Sequence, residues 1–178
     1  MREIYDIEDC DIYWYGIDKN GYIFYCSSAG ISNVPKFVGK DFVNESKEPR
    51  FLDDFFLYTF EPLNLENKKY IDEIDEDRLS NELEKIKIKL ILDPYLASDA
   101  HLVLALKGIT SFDALIEYLD SKHKKEFNAH KYEYKKITQP TELLHFDQLP
   151  ENVQKIMDSH RVDVDIQKDD YFFIESIY

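Results

Sequence analysis

Ile12-Tyr13-Trp14-Tyr15-Gly16-Ile17-Asp18-Lys19-Asn20-Gly21-Tyr22-Ile23-Phe24-Tyr25-Cys26 is the stretch that decides the fold. Two runs of aromatic and β-branched residues flank Asn20-Gly21. Asn-Gly between such runs is the strongest short hairpin signal, because both central residues of a type I′ turn need positive φ. A two-residue turn sets Lys19 opposite Tyr22, Ile17 opposite Phe24 and Tyr15 opposite Cys26. Side chains alternate along a strand, and both faces of this ribbon are apolar or aromatic. One face is expected on the core and the other partly covered.

Outward from the hairpin, Ser27-Ser28-Ala29-Gly30-Ile31-Ser32-Asn33-Val34-Pro35 reads as a polar loop. Pro35 opens a short helix to about Val43, and Pro49 opens another over 49–59. Phe51, Leu52, Phe55 and Phe56 recur at helical spacing and predict a strongly aromatic buried face for that second helix. Ser80 caps a helix carrying Leu83, Ile86 and Leu90, which Asp93-Pro94 ends. Leu102–Leu106 is an apolar run that period alone leaves as strand or helix. Thr110 and Asp113 have capping-box spacing ahead of Phe112, Leu115, Ile116 and Leu119, which predicts a helix. Tyr132–Ile137 alternates as a strand closed by Pro140. Pro150 opens a last helix with Val153, Ile156 and Met157 on one side, and Tyr171–Ile177 reads as a final strand. The sum is one α+β domain over 1–178, with an antiparallel sheet that includes the hairpin and packs against several amphipathic helices.

Thirteen Tyr and twelve Phe supply a core and argue against disorder. The net charge of −14 repels nucleic-acid phosphates and anionic lipid, so neither nucleic acid nor membrane is expected as a partner. A basic protein partner is the class such a field favours. Cys10 and Cys26 form no metal pattern. They can meet across a hairpin, but two reduced thiols in a cytoplasmic protein is the simpler reading. No basic region followed by an apolar run marks a secretory signal, and no stretch has the length of an uncharged membrane helix.

Catalytic signatures are missing: there is no nucleophile elbow, phosphate-binding glycine loop, zinc-protease helix or calcium loop. No two of His101, His123, His130, His145 and His160 have the three- or four-residue spacing of helical metal ligands. Each alone reads as a surface or packed histidine. The pairs Asp53-Asp54, Asp72/Asp75, Asp163/Asp165 and Asp169-Asp170 offer acid–base or cation chemistry only if the fold converges them. On a short strand Asp163 and Asp165 would share a solvent-facing side. Ser27-Ser28 lacks an elbow's glycines and reads as a turn. No catalytic residue, metal or cofactor is assigned.

The hairpin residues Trp14 to Gly21, the loop Ser27-Ser28-Ala29-Gly30 and Val34-Pro35 resemble the opening of a group of uncharacterised bacterial proteins. That group has an aromatic D-W-F-x-x-D-x-x-G hairpin, a small-residue loop and a proline. Lys107-Gly108, Asp113, Tyr132, Ile137, Pro140, Leu143 and Leu149-Pro150 resemble its later positions, so the likeness spans most of the chain. Tyr13 stands where an acid is usual, and the loop has fewer glycines. Small acidic proteins of this type are similar to immunity proteins of bacterial toxin systems. The resemblance implies no catalytic residues.

These readings favour a non-catalytic interaction protein, in its most concrete form an immunity-like inhibitor of a basic toxin. Its partner-binding residues would be Asp72, Asp75, Glu76, Asp77 and Glu82, with Tyr13 and Tyr15 as aromatic anchors. The aromatic cluster of the hairpin reads first as core, filling a sheet–helix interface, and second as a binding face. The alternatives are a small-molecule sensor or accessory domain with the hairpin lining a pocket, and a metal-assisted hydrolase built on scattered Asp, Glu and His.

Overall fold

A computed structural model describes residues 12–28, 34–38, 48–72, 83, 86–90, 98–114 and 134–174. The hairpin is present. β1 (Tyr13–Ile17) pairs antiparallel with β2 (Ile23–Ser27). Its register differs by one residue from the two-residue turn. Ile17 faces Ile23, Tyr15 faces Tyr25 and Trp14 faces Cys26.

The Asp18 carboxylate is the cause. It accepts the Asn20 N–H at 2.9 Å and the Tyr22 N–H at 2.8 Å, while the Asp18 N–H donates to the Tyr22 carbonyl at 2.9 Å. These bonds close a three-residue loop, Lys19-Asn20-Gly21. Such loops need one left-handed residue where a type I′ turn needs two. Gly21 supplies it at φ 91°, and Asn20 stays at negative φ.

The sheet runs β1-β2-β4-β5-β3, with β6 also on β5. β3 is Ile88–Leu90, β4 Thr110–Ala114, β5 Tyr134–Pro140 and β6 Tyr171–Phe172. All its pairs are antiparallel except β2 with β4, which run parallel. The fold is α+β with a mixed sheet. Helix α1 (Glu48–Asp53) continues into a π-helical turn, Asp54–Thr59. A 3-10 turn, Leu65–Asn67, leads into α2 (Lys68–Asp72). Then come α3 (Asp99–Leu106), a 3-10 turn at Phe146–Gln148 and α4 (Glu151–Met157).

Two expected elements differ, and one left open is decided. Thr110–Ala114 is a strand, not a helix, since Gly108 at φ 87° ends α3 and redirects the chain between β2 and β5. There Phe112 and Ala114 are buried, and β-branched Thr110 suits the pleat. Ile88–Leu90 is also a strand, not the end of a helix. Lys87, at φ 57°, interrupts any helical path before it. Leu102–Leu106 resolves as helix. It is capped by Ser98, whose N–H donates to the His101 ring at 3.2 Å, so histidine takes the usual glutamate place. Pro35 does open a helical turn at 36–38, and Pro150 caps α4. Residues 115–133 and Ser80 lie outside the described residues.

The register sorts the core. Trp14, Phe24 and Cys26 lie on one face with Phe112, Tyr134, Val164 and Ile166. The Trp14 indole N–H donates to the Tyr134 hydroxyl at 3.2 Å, and the ring meets Phe24, Phe37, Tyr134 and Phe172 edge-on. Tyr15, Ile17, Ile23 and Tyr25 lie on the other, under Leu52, Phe56, Leu104, Val153 and Met157. Both faces of the hairpin are thus covered. Each such large side chain contributes roughly 1.5–3 kcal/mol by leaving water.

Residues 160–164 run along the outer side of β1, at the end of the sheet. Ile17 donates to the His160 carbonyl at 2.8 Å and accepts from Val162 at 2.9 Å, and Lys19 donates to Val164 at 3.1 Å. Asp18 also accepts from the Ile166 N–H at 3.2 Å. Asp165, expected on an open strand face, is instead buried in the turn that follows. It faces the ammonium groups of Lys168 at 3.2 Å and Lys19 at 3.6 Å. Burial alone would raise its carboxyl. Lys168, Asn20 and the Gln167 N–H outweigh it and hold the group below the ordinary aspartate range.

Candidate functional site

Helix α1 and the π turn carry two neighbouring stripes at helical spacing. Leu52 and Phe56 point into the core at 1% and 0% exposure. Phe51, Phe55 and Tyr58 form the second stripe. Phe51 stacks on Phe55 with ring centroids 6.3 Å apart, and Tyr58 is 81% exposed. Asp54 is exposed on the same turn. Asp53 sits half-buried with its carboxyl towards the Tyr15 hydroxyl. Burial raises that carboxyl above its ordinary value, the tyrosine opposes the shift, and Asp54 adds to it.

The π turn is held from beneath. Lys107, at 4% exposure, donates from Nζ to the carbonyls of Phe56 and Leu57, both at 2.8 Å. A π turn leaves carbonyls without their usual i+4 partners, and this ammonium takes two of them. Burial lowers the lysine pKa to about 8, against the opposing pull of Glu61. The turn carries a projecting phenol, Tyr58, and an exposed carboxylate, Asp54, on one short segment. Such a segment offers a cationic side chain a carboxylate for ion pairing and a ring face for contact.

The residues expected to bind a partner separate. Tyr13 is 45% exposed and stacks on Tyr25 at 6.1 Å. Tyr15 is 1% exposed, 4.7 Å in ring centroid from Phe56, so it is a core residue and presents no ring to a partner. The one-residue register and the cover of α1 cause this. Its hydroxyl makes no well-formed hydrogen bond, and burial, followed by Asp53, holds it well above the usual tyrosine pKa. Asp72 is exposed in the last turn of α2. Asp75, Glu76, Asp77 and Glu82 lie outside the described residues.

The described histidines position backbone. His145 accepts the Asp147 N–H on Nδ1, which leaves Nε2 to donate to the Asn20 carbonyl at 3.1 Å. His160 stacks on Phe37 at 4.3 Å with Nδ1 3.1 Å from the Tyr15 carbonyl. Ser28 Oγ accepts the Ile12 N–H at 2.8 Å, a turn role. Among the described residues no three His, Cys, Asp or Glu side chains group as metal ligands, and no helix is long and apolar enough to cross a membrane. Cys26 is a buried free thiol.

Sequence reasoning placed Phe51 on a buried aromatic face, where the structure leaves it 38% exposed, and missed Tyr58 and the buried Lys107 beneath the turn. A signal existed for the aromatics. Two adjacent aromatic stripes on one short helix cannot both face a single sheet, so one must meet solvent. Nothing local marks Lys107, which reaches the turn from about fifty residues away. No family model matches the chain, and no curated protein or solved structure matches it.

Proposed function

We propose that the chain is a non-catalytic binding protein of the cytoplasm that presents an acidic, aromatic surface to a basic protein partner. Inhibition of a bacterial toxin, in the manner of immunity proteins, is the concrete form of that role. The observation that carries the reading is Tyr58, 81% exposed on a turn that Lys107 pins and that also carries exposed Asp54. A large exposed ring costs solubility unless a partner covers it, and tyrosine is enriched among interface hot spots. Tyr13, 45% exposed, is a further exposed ring. Asp72, with Asp75, Glu76, Asp77 and Glu82, adds to the acidic field. The net charge of −14 steers a basic partner inward.

The test is capture from a lysate of the native host on the immobilised chain, at low and high salt. A basic protein retained at low salt, released by salt and lost by a Tyr58→Ala, Asp54→Asn double variant supports the proposal. A control altered at Glu151 and Lys155, on α4, should retain it. Retention of the same protein by the double variant, or capture of no basic protein, removes it.

A further inference from the structure

Alternation turns Ser111 away from Phe112, to the face of β4 that α3 covers. Thr138 stands directly opposite it on β5. Both are fully buried, at 0% exposure. Neither Ser111 Oγ nor Thr138 Oγ1 has a hydrogen-bond partner in the protein. Facing serine and threonine hydroxyls commonly bond each other across a strand pair, and these do not. Two other side-chain oxygens among the described residues share that condition. The Tyr15 hydroxyl has the Asp53 carboxyl before it, and Gln139 Oε1 belongs to an amide whose nitrogen meets Thr110 at 3.4 Å. Only Ser111 and Thr138 face one another.

The strands are irregular at the same place. Ser111 pairs with Thr138 but Phe112 pairs with Lys136, so Ile137 is an extra residue on β5. A bulge residue drops out of the ladder. Its backbone polar groups then turn to partners outside that ladder. Ile137 is itself 1% exposed, packed with Leu102, Ala105 and Leu106 of α3. Leu90 of β3 pairs with Thr138 from the other side. Bulk solvent therefore reaches neither hydroxyl. A buried hydroxyl left unpaired destabilises a fold by more than a typical hydrogen bond stabilises it, and here two stand together.

We propose that this bulge is a binding site for one internal water molecule, which bridges Ser111 Oγ, Thr138 Oγ1 and the backbone of Ile137 beneath α3. Facing side chains on antiparallel strands have Cβ atoms about 4.5–5.5 Å apart. One oxygen between two such hydroxyls can bond both at about 2.8 Å. Serine, threonine and the bulge supply the two to four polar partners that a buried water takes. The groups are neutral, which suits a neutral ligand, and each hydroxyl donates or accepts as its partner requires. The bridge ties β4 to β5 at the seat of α3. That helix leads directly into Lys107, which pins the π turn, so the water belongs to the support of that turn.

The experiment is ¹⁷O relaxation dispersion of water in solutions of the parent chain and of a Ser111→Ala, Thr138→Val double variant. Exchange of hydroxyl protons does not reach the ¹⁷O signal, so only whole water molecules held by the fold count. The parent should show one more long-lived water than the double variant. Urea unfolding gives an independent reading. Each single variant leaves the water short of a partner and should raise the unfolding equilibrium constant about fivefold, the worth of one ordinary hydrogen bond. The double variant should lose less than the two single losses combined, because the water and both hydroxyls leave together. A dry pair behaves in the opposite way. Each substitution then removes an unpaired polar group, and each variant unfolds less readily. Equal relaxation in parent and double variant overturns the proposal, as do two single variants more stable than the parent.

Discussion

Replacing Lys107 with methionine tests the device beneath the π turn. The ammonium supplies two hydrogen bonds at 2.8 Å to the Phe56 and Leu57 carbonyls. A bond from a charged donor contributes about 1.5–3 kcal/mol net, so the pair is worth roughly 3–6 kcal/mol. Against this stands the cost of burying a cation. The fall from 10.5 to about 8 corresponds to at most about 3.4 kcal/mol at about 1.36 kcal/mol per pKa unit. Lys107→Met removes both, so at pH 7 the two terms leave a destabilisation of about 0–3 kcal/mol.

The pH dependence separates the two contributions. Between pH 8 and the unfolded value of 10.5 the unfolded chain keeps a proton that the folded chain has lost. Stability therefore rises with pH across that window, and a neutral amine still donates to both carbonyls. The gap between parent and variant should widen there by about 2–3 kcal/mol, allowing for some solvent screening. Urea unfolding of both proteins from pH 7 to 10.5 measures it. Parallel stability profiles for the two proteins would refute the reasoning.

Other substitutions read other parts of the structure. Gly21→Ala combines a φ of 91° with a Cβ 2.3 Å from His145 Nε2. It should cost about 1–3 kcal/mol, with part recovered in a Gly21→Ala, His145→Ala double variant on thermal melting. Tyr15→Phe deletes a buried hydroxyl without a well-formed bond and should leave stability unchanged or raise it by up to about 1 kcal/mol. The Asp165 carboxyl is held down, so its contribution is present above the unfolded aspartate value and fades as pH falls through the lower folded value. Asp165→Asn should flatten that acid limb, and an unchanged limb would show the Lys168 and Lys19 contacts to be inert.

The hairpin, the α+β class, the opening of helical turns by Pro35 and the strand before Pro140 were legible because each rests on local chemistry. Asn-Gly, proline and period-two alternation act within a few residues. The register was not legible. It turns on a competition between Asn20 entering positive φ and the Asp18 carboxylate accepting two N–H groups, and the carboxylate wins. Thr110–Ala114 and Ile88–Leu90 were read as helical because their apolar spacing fits both periods. Only neighbouring strands decide between them. At the candidate site Tyr13 and Tyr15 share one side of β1 by alternation, and nothing in the sequence separates them; the structure buries Tyr15 against Phe56 and leaves Tyr13 45% exposed. Lys107 depends on a contact between distant parts of the chain, which no pattern in its own neighbourhood announces.

The bonds from residues 160–164 to the outer side of β1 also set an order of events during synthesis. The hairpin leaves the ribosome before its cover, which is made more than a hundred residues later. At about 5–20 residues per second that interval is on the order of ten seconds. Throughout it an aromatic ribbon stands with one edge able to pair with any other nascent strand. Newly made chains crowded on one message are therefore the place to look for aggregation. Truncations that end before His160 should aggregate most, even where the remaining sequence can form every other strand pair of the hairpin.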